Sequence, residues 1–179
     1  EVTEFIENML FNGPNSSTFA YGGGTIYGYC NHSSRIQYTT LSDWGSSGIT
    51  GKEIQNDVLN MIQLAIDKKH YGPYGLYIPT EYETAMSEDY TTSYPKSVRT
   101  RLMEIEQLEF IKVADKLADD NVVLVELKPD TIRMVVGFQP MVLEWTSHGG
   151  MEFEYKVMSI MVPQIRADAD SNIGLVHGS

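Results

Sequence analysis

Residues 132–163 read IRMVVGFQPMVLEWTSHGGMEFEYKVMSIMVP, and their pattern decides the architecture. The run 132–138 is β-prone and follows a turn at Lys128-Pro129-Asp130. Residues 141–147 and 152–163 are β-branched, aromatic and apolar, and His148-Gly149-Gly150 lies between them. Two such runs joined by a glycine-bearing turn predict a long antiparallel hairpin. Two further strand candidates, 110–114 and 122–127, precede it.

Upstream of these strands the pattern becomes helical. Thr50-Gly51-Lys52-Glu53 has the form of a capping box, in which the Thr hydroxyl and the Glu carboxylate each satisfy a free backbone N–H. Ile54, Val58, Met61, Ile62, Ala65 and Ile66 then recur on one helical face over residues 52–69. Lys68, Lys69 and His70 suit the negative end of the helix dipole, and Gly72-Pro73 stops the helix. Tyr74-Gly75-Leu76-Tyr77-Ile78-Pro79 reads as a short buried strand. Thr80-Glu81-Tyr82-Glu83 is expected to be a second capping box. After a polar segment at 87–95, a third helix places Val98, Leu102 and Ile105 on one face. Strands and helices alternate without a parallel-sheet rhythm, so the expected class is α+β.

The first eleven residues are also helical: Val2, Phe5, Ile6, Met9 and Leu10 share a face. Either Thr3 caps this helix, or the chain enters partway along a longer one. Residues 12–51 then hold more than half of the 15 glycines, among short β-prone pieces at 25–29 and 36–41. A glycine-rich stretch this long usually serves a ligand or a partner.

Composition narrows the function. Thirteen basic residues stand against 24 acidic ones, a net charge of −11. Sequence-independent nucleic-acid binding draws its affinity from Lys and Arg on phosphates, so it is disfavoured. A single cysteine, Cys30, cannot form an intramolecular disulfide. No apolar run nears the roughly 20 residues that span a bilayer.

Local signatures of chemistry are incomplete. Gly22-Gly23-Gly24-Thr25-Ile26-Tyr27-Gly28 has Tyr27 where a dinucleotide loop needs its third glycine, and no Lys-Ser/Thr pair closes it as a P-loop. Gly45-Ser46-Ser47-Gly48 lacks the spacing of a nucleophile elbow. Asp168-Ala169-Asp170-Ser171-Asn172 begins like a calcium loop, but Ile173 replaces the turn glycine and Ser179 the closing Glu. Cys30 and His32 are two ligands short of a tetrahedral metal site. Cys30 becomes a nucleophile only if His70 or His148 approaches it in space; otherwise it is a small buried thiol. Asn15 and Asn31 match the glycosylation sequon. No catalytic, cofactor-binding or metal-ligating residue is assigned, and no cofactor is called for.

In order along the chain, several segments resemble shell proteins of the HK97-like fold, the major capsid proteins of tailed bacteriophages and prophages and the related encapsulins. They are Ile6-Glu7-Asn8-Met9-Leu10-Phe11-Asn12-Gly13, the loop Ile26-Tyr27-Gly28-Tyr29-Cys30-Asn31-His32, and Tyr71-Gly72-Pro73-Tyr74-Gly75-Leu76-Tyr77-Ile78-Pro79. The likeness ends in Val136-Gly137-Phe138-Gln139-Pro140, Glu144-Trp145, Gly149-Gly150-Met151 and Phe153-Glu154-Tyr155-Lys156-Val157-Met158, with Val162-Pro163 and Gly174-Leu175-Val176-His177. The resemblance implies an α+β subunit with a peripheral (P) and an axial (A) domain. Residues 1–71 would be part of the P domain, comprising the end of its spine helix, a Gly-rich loop and a connecting helix. Residues 72–138 would be the A domain, and 139–179 the return to the P domain with a C-terminal tail. The family's N-terminal arm and extended loop have no counterpart in the sequence as it stands. The implied function is a structural subunit of an icosahedral virion, assembled in the host cytoplasm. The full-length protein would self-associate into pentamers and hexamers and enclose double-stranded DNA without sequence-specific binding, with neither a membrane nor a small-molecule substrate as partner. An encapsulin shell around cargo enzyme is the alternative. A small α+β enzyme or ligand-binding module built on the glycine loop and Cys30 is a remote third.

Overall fold

In the computed structural model, which describes residues 2–14, 26–91 and 94–179, the capping box at Thr50 is formed. Thr50 Oγ1 accepts from Glu53 N–H at 3.3 Å, and Glu53 Oε2 accepts from Thr50 N–H at 2.8 Å. Two otherwise orphaned donors are thereby satisfied. Helices α1 (Val2–Asn12) and α2 (Gly51–Asp67) bracket strand β1 (Ile36–Tyr38). Strand β2 (Tyr74–Ile78) leads to the short helix α3 (Glu83–Ser87), the small antiparallel pair β3 (Asp89–Thr91) and β4 (Tyr94–Ser97), and helix α4 (Val98–Met103). Strands β5 (Leu108–Val113), β6 (Val122–Glu126), β7 (Ile132–Ser147), β8 (Glu152–Ile165) and β9 (Leu175–Gly178) complete the described chain.

Five strands form one mixed sheet in the order β1-β9-β6-β2-β5. β2 runs parallel to β5 and β1 to β9, while β6 is antiparallel to both its neighbours. One face carries Leu76, Ile78, Val122, Leu124 and Val176 against Ile54, Val58, Met61, Ile62 and Ala65 of α2. The other face carries Val123, Val125 and Leu175 against Phe11, Tyr29, Ala114, Leu117 and Ile173. With both faces covered, β6 is buried throughout, so its sequence shows an unbroken apolar run instead of alternation.

The second capping box does not form. Thr80–Tyr82 is a 3-10 turn, and α3 starts after Tyr82 without a side-chain cap. Tyr82 is fully buried against Trp44, with ring centroids 5.4 Å apart, and its hydroxyl donates to Asp120 Oδ1 at 2.9 Å. Burial of that ring fixes the chain path and overrides the local preference. Helix α2 also ends two residues before the expected 69, with Lys69 at φ +66°.

The runs 132–138 and 141–147 are one strand. β7 pairs with β8 from Ile132↔Ile165 to Ser147↔Glu152, with register shifts flanking Phe138. Two extra β7 residues are absorbed there, beside Pro140, whose missing N–H is tolerated on an edge strand. The expected boundary at 138/139 therefore falls inside a strand. Strands from all three expected segments also meet in one sheet, because β1 and β9 join β2, β5 and β6.

Helix α1 is held by the loop that follows it. Tyr29 and Cys30 N–H donate to the carbonyls of Leu10 and Phe11 at 2.9 and 2.8 Å. Asn31 locks the loop from both sides: Oδ1 accepts from Gly28 N–H at 2.7 Å, and Nδ2 donates to Asn12 O at 2.7 Å. A Cβ on Gly28 would stand 2.3 Å from Gly13 N and 2.6 Å from Phe11 O, so only glycine permits this approach.

Candidate functional site: an exposed apolar ribbon

The β7–β8 ribbon is a two-stranded sheet that shares no ladder with the five-stranded one. Beyond its base, many of its large apolar side chains are exposed among the described residues. Val142 is 63% exposed, Phe153 59%, Tyr155 65% and Met151, at the tip, 88%. Val136, Phe138, Trp145, Val157 and Ile160 are exposed as well. Directly opposed residues share a face, so Phe153, Tyr155 and Val157 line one side with Thr146, Glu144 and Val142. The reverse side carries Glu154 and Lys156 beside Trp145 and Leu143, then Met158 beside Met141. A two-stranded ribbon of this length is marginal by itself, and contiguous exposed apolar surface marks an interaction site.

Two features hold the ribbon out from the body. At its base, Ile132 and Ile165 pack into the core around Phe11. Above that, Ser159 and Met161 of β8 meet Val2, Phe5, Ile6 and Met9 of α1 around a groove of about 430 Å³. The shared helical face read from the sequence thus points at the ribbon, while Phe11, outside that pattern, enters the core at 2% exposure. At the tip, Gly149 and Gly150 have φ of +69° and +92°, and His148 Nδ1 lies 2.8 Å from Glu152 Oε2.

A buried polar node links the ribbon to the sheet. Glu126 Oε2 lies 2.6 Å from His70 Nδ1 and accepts from Thr131 Oγ1 at 3.1 Å. Its Oε1 accepts from Lys128 Nζ at 2.8 Å and from Gly72 N–H at 3.3 Å. Burial pushes this carboxyl up, but the hydrogen bonds from Lys128, His70 and Thr131 outweigh it and hold it below the usual range. Thr131 O in turn accepts from Arg166 N–H, which ties the two ends of the ribbon together. Asp57 plays a similar part for the 36–50 segment, accepting from Tyr38 Oη, Trp44 Nε1 and Ser42 N–H. Neither carboxylate stands out in the sequence: Glu126 closes the apolar run 122–126, Asp57 follows the polar pair Gln55-Asn56 in α2, and the fold brings in partners such as His70 and Tyr38.

The candidates for chemistry are dispersed. Cys30 is half-buried, and burial, opposed by Arg35, pushes its thiol up to about 11. His70 is engaged by Glu126, and His148 stands at the ribbon tip. His177 is held down to about 4 by burial and then by Arg35, whose Nε donates to its Nδ1. His32 accepts from Ser34 N–H at its Nδ1. Asp168 closes a turn by accepting from Asp170 and Asn172 N–H. Among the described residues, no three His, Cys, Asp or Glu converge to hold a metal. The Gly22-Gly23-Gly24 run and the Asn15 sequon lie outside the described residues, whereas the side chain of Asn31 is used internally. No helix among the described residues is long and apolar enough to cross a membrane.

Helix α1, the mixed sheet and the projecting ribbon together constitute the HK97-like capsid fold. The capsid of Myoviridae phage XM1 matches with a TM-score of 0.71 at 9% identity, over 98% of this chain and 62% of that one. The virus-like particle from Pyrococcus furiosus matches at 0.66 and 21% identity, over 83% and 57%. A protein of Mycobacterium phage Che8 matches at 0.58 and 9%, over 99% and 57%. The chain spans about three fifths of the length of these proteins. It belongs to the Family of unknown function DUF6260, whose profile matches residues 1–178. No curated protein matches it.

Proposed function

We propose that this chain is a non-enzymatic wall subunit of an icosahedral viral capsid that encloses double-stranded DNA. The observation that carries the reading is the ribbon, apolar and exposed on a fold shared with shell proteins. Such surface is costly on an isolated subunit and is satisfied by neighbouring copies. In this reading α1 and the ribbon form the peripheral lobe. The five-stranded sheet with α2 and α4, which draws on all three expected segments and not on 72–138 alone, would form the axial lobe that meets its copies in pentamers and hexamers. The net charge of −11 suits a wall that surrounds DNA without gripping phosphates. The particle would be a virion assembled in the host cytoplasm.

Electron microscopy of the full-length protein expressed alone tests this: closed icosahedral particles are expected, and a small oligomer with no particles sinks it. One observation favours a second reading, an encapsulin shell around cargo enzyme. Identity to the Pyrococcus furiosus virus-like particle is 21%, against 9% for either phage protein. Absorbance of particles purified from the native source separates the two, since packaged DNA dominates at 260 nm and protein cargo does not.

A further inference from the structure

We infer that Arg35, His177 and Asn121 form an acid-released staple, which fastens residues 32–37 to the mixed sheet at neutral pH and frees them in mild acid. The staple joins three elements. Arg35 stands immediately before β1, His177 lies on β9 between β1 and β6, and Asn121 immediately precedes β6. Arg35 Nε lies 3.1 Å from His177 Nδ1, and His177 Nε2 lies 2.7 Å from Asn121 Oδ1. Nη1 of the same guanidinium donates to His32 O at 3.0 Å, so one side chain holds both the turn before β1 and the strand beside it.

The hydrogen bonds leave the ring a single form. A guanidinium only donates, so Nδ1 must accept and carries no proton. Asn121 Nδ2 donates to Asp119 O at 2.7 Å, which turns Oδ1 toward the ring, so Nε2 carries the hydrogen. The neutral ring, 6% exposed, is thus satisfied at both nitrogens. A proton taken up from solvent goes to Nδ1, where it replaces the Arg35 hydrogen bond with two facing N–H groups and sets a cation beside a cation. Nothing described around the ring offsets this. Across the ladders it stands opposite Gln37 on β1 and Val123 on β6, neither charged, and the nearby His32 is itself lowered by burial and then by Arg35. Burial and then Arg35 hold His177 at about 4 in the closed form. Released into water, the ring returns to its ordinary value of about 6.5. Between these values the open form binds the extra proton. The staple is therefore at full strength above about 6.5, and closing weakens by up to about tenfold per pH unit below it until the closed form titrates too. Tyr38, at the end of β1, is anchored separately through Asp57, so release reaches 32–37 before the rest of the sheet.

Hydrogen exchange of the full-length protein, read by mass spectrometry from pH 7 to 4.5, tests the staple. Protection of 32–37, corrected for the intrinsic pH dependence of exchange, is expected to fall at least about tenfold, while 74–78 and 122–126 keep theirs. His177→Gln keeps an acceptor and a donor but has no proton to gain, so it should abolish the fall; His32→Gln should not. Deuterium uptake at the imidazole Cε1 of the unmodified protein needs no variant, and should place the His177 midpoint below about 5. A flat profile at 32–37, a fall that persists in His177→Gln, an equal loss at 74–78, or a Cε1 midpoint at the ordinary value overturns the staple.

Discussion

Replacing Glu126 by Gln perturbs the one buried carboxylate that joins the sheet to the ribbon base. All four of its partners are donors: His70 Nδ1, Thr131 Oγ1, Lys128 Nζ and Gly72 N. A carboxylate accepts from all of them, and His70 must then carry its proton on Nδ1. A Gln amide keeps the shape but turns an NH2 toward two of these donors, leaving them unsatisfied in a site where Glu126 is 2% exposed. Leaving buried donors without an acceptor costs about 1–3 kcal/mol each, so the substitution should cost about 3 kcal/mol. For a chain of this size that is a fall in Tm of roughly 10 °C. The cost also depends on pH. The folded-state pKa of Glu126 is depressed, so its contribution is complete above the unfolded value of about 4.3 and is lost as pH falls through the folded value. Urea unfolding of both proteins from pH 7 to 3.5 reads the difference directly. Taking the difference cancels His177, which titrates in both. A penalty under 0.5 kcal/mol at pH 7, or one that does not shrink in acid, refutes the assignment.

Three further outcomes follow from the geometry. Asn31→Ala removes both hydrogen bonds that lock the 26–31 loop to the end of α1, at a cost of about 2 kcal/mol; amide exchange should accelerate at Gly28, Tyr29 and Cys30 before the sheet is affected. Val142→Lys and Tyr155→Lys alter residues more than 60% exposed, so unfolding midpoints should move by less than about 0.5 kcal/mol while particle formation is lost; unchanged particles would remove the ribbon from the interface. Cys30, with its thiol pushed up to about 11, should react with a disulfide reagent slowly at pH 7 and progressively faster toward pH 10; rapid labelling at neutral pH would contradict its environment.

Helix α2 was legible because its cap, apolar face and stop signal lie within 24 consecutive residues, 50–73, and need only each other. The strands β5, β6 and β8 were legible within two residues for the same reason, since run and turn signals are local. Thr80–Tyr82 departs from its local capping pattern because a buried ring, not a hydroxyl, fixes it. The unity of β7 is hidden because Gln139-Pro140 reads as a break, whereas the strand absorbs it beside its register shifts. The exposure of the ribbon is not legible in the sequence: its apolar alternation is that of any half-buried strand, and nothing local reports what covers it. The sequence by itself determined where helices and strands form and the order that resembles a shell subunit, because periodicity and turn chemistry act over a few residues. Only the tertiary structure decided that Ile36–Tyr38 and Leu175–Gly178 share a sheet, that Glu126 holds four donors, and which described residues of the ribbon are exposed, because these depend on partners brought together across the whole chain.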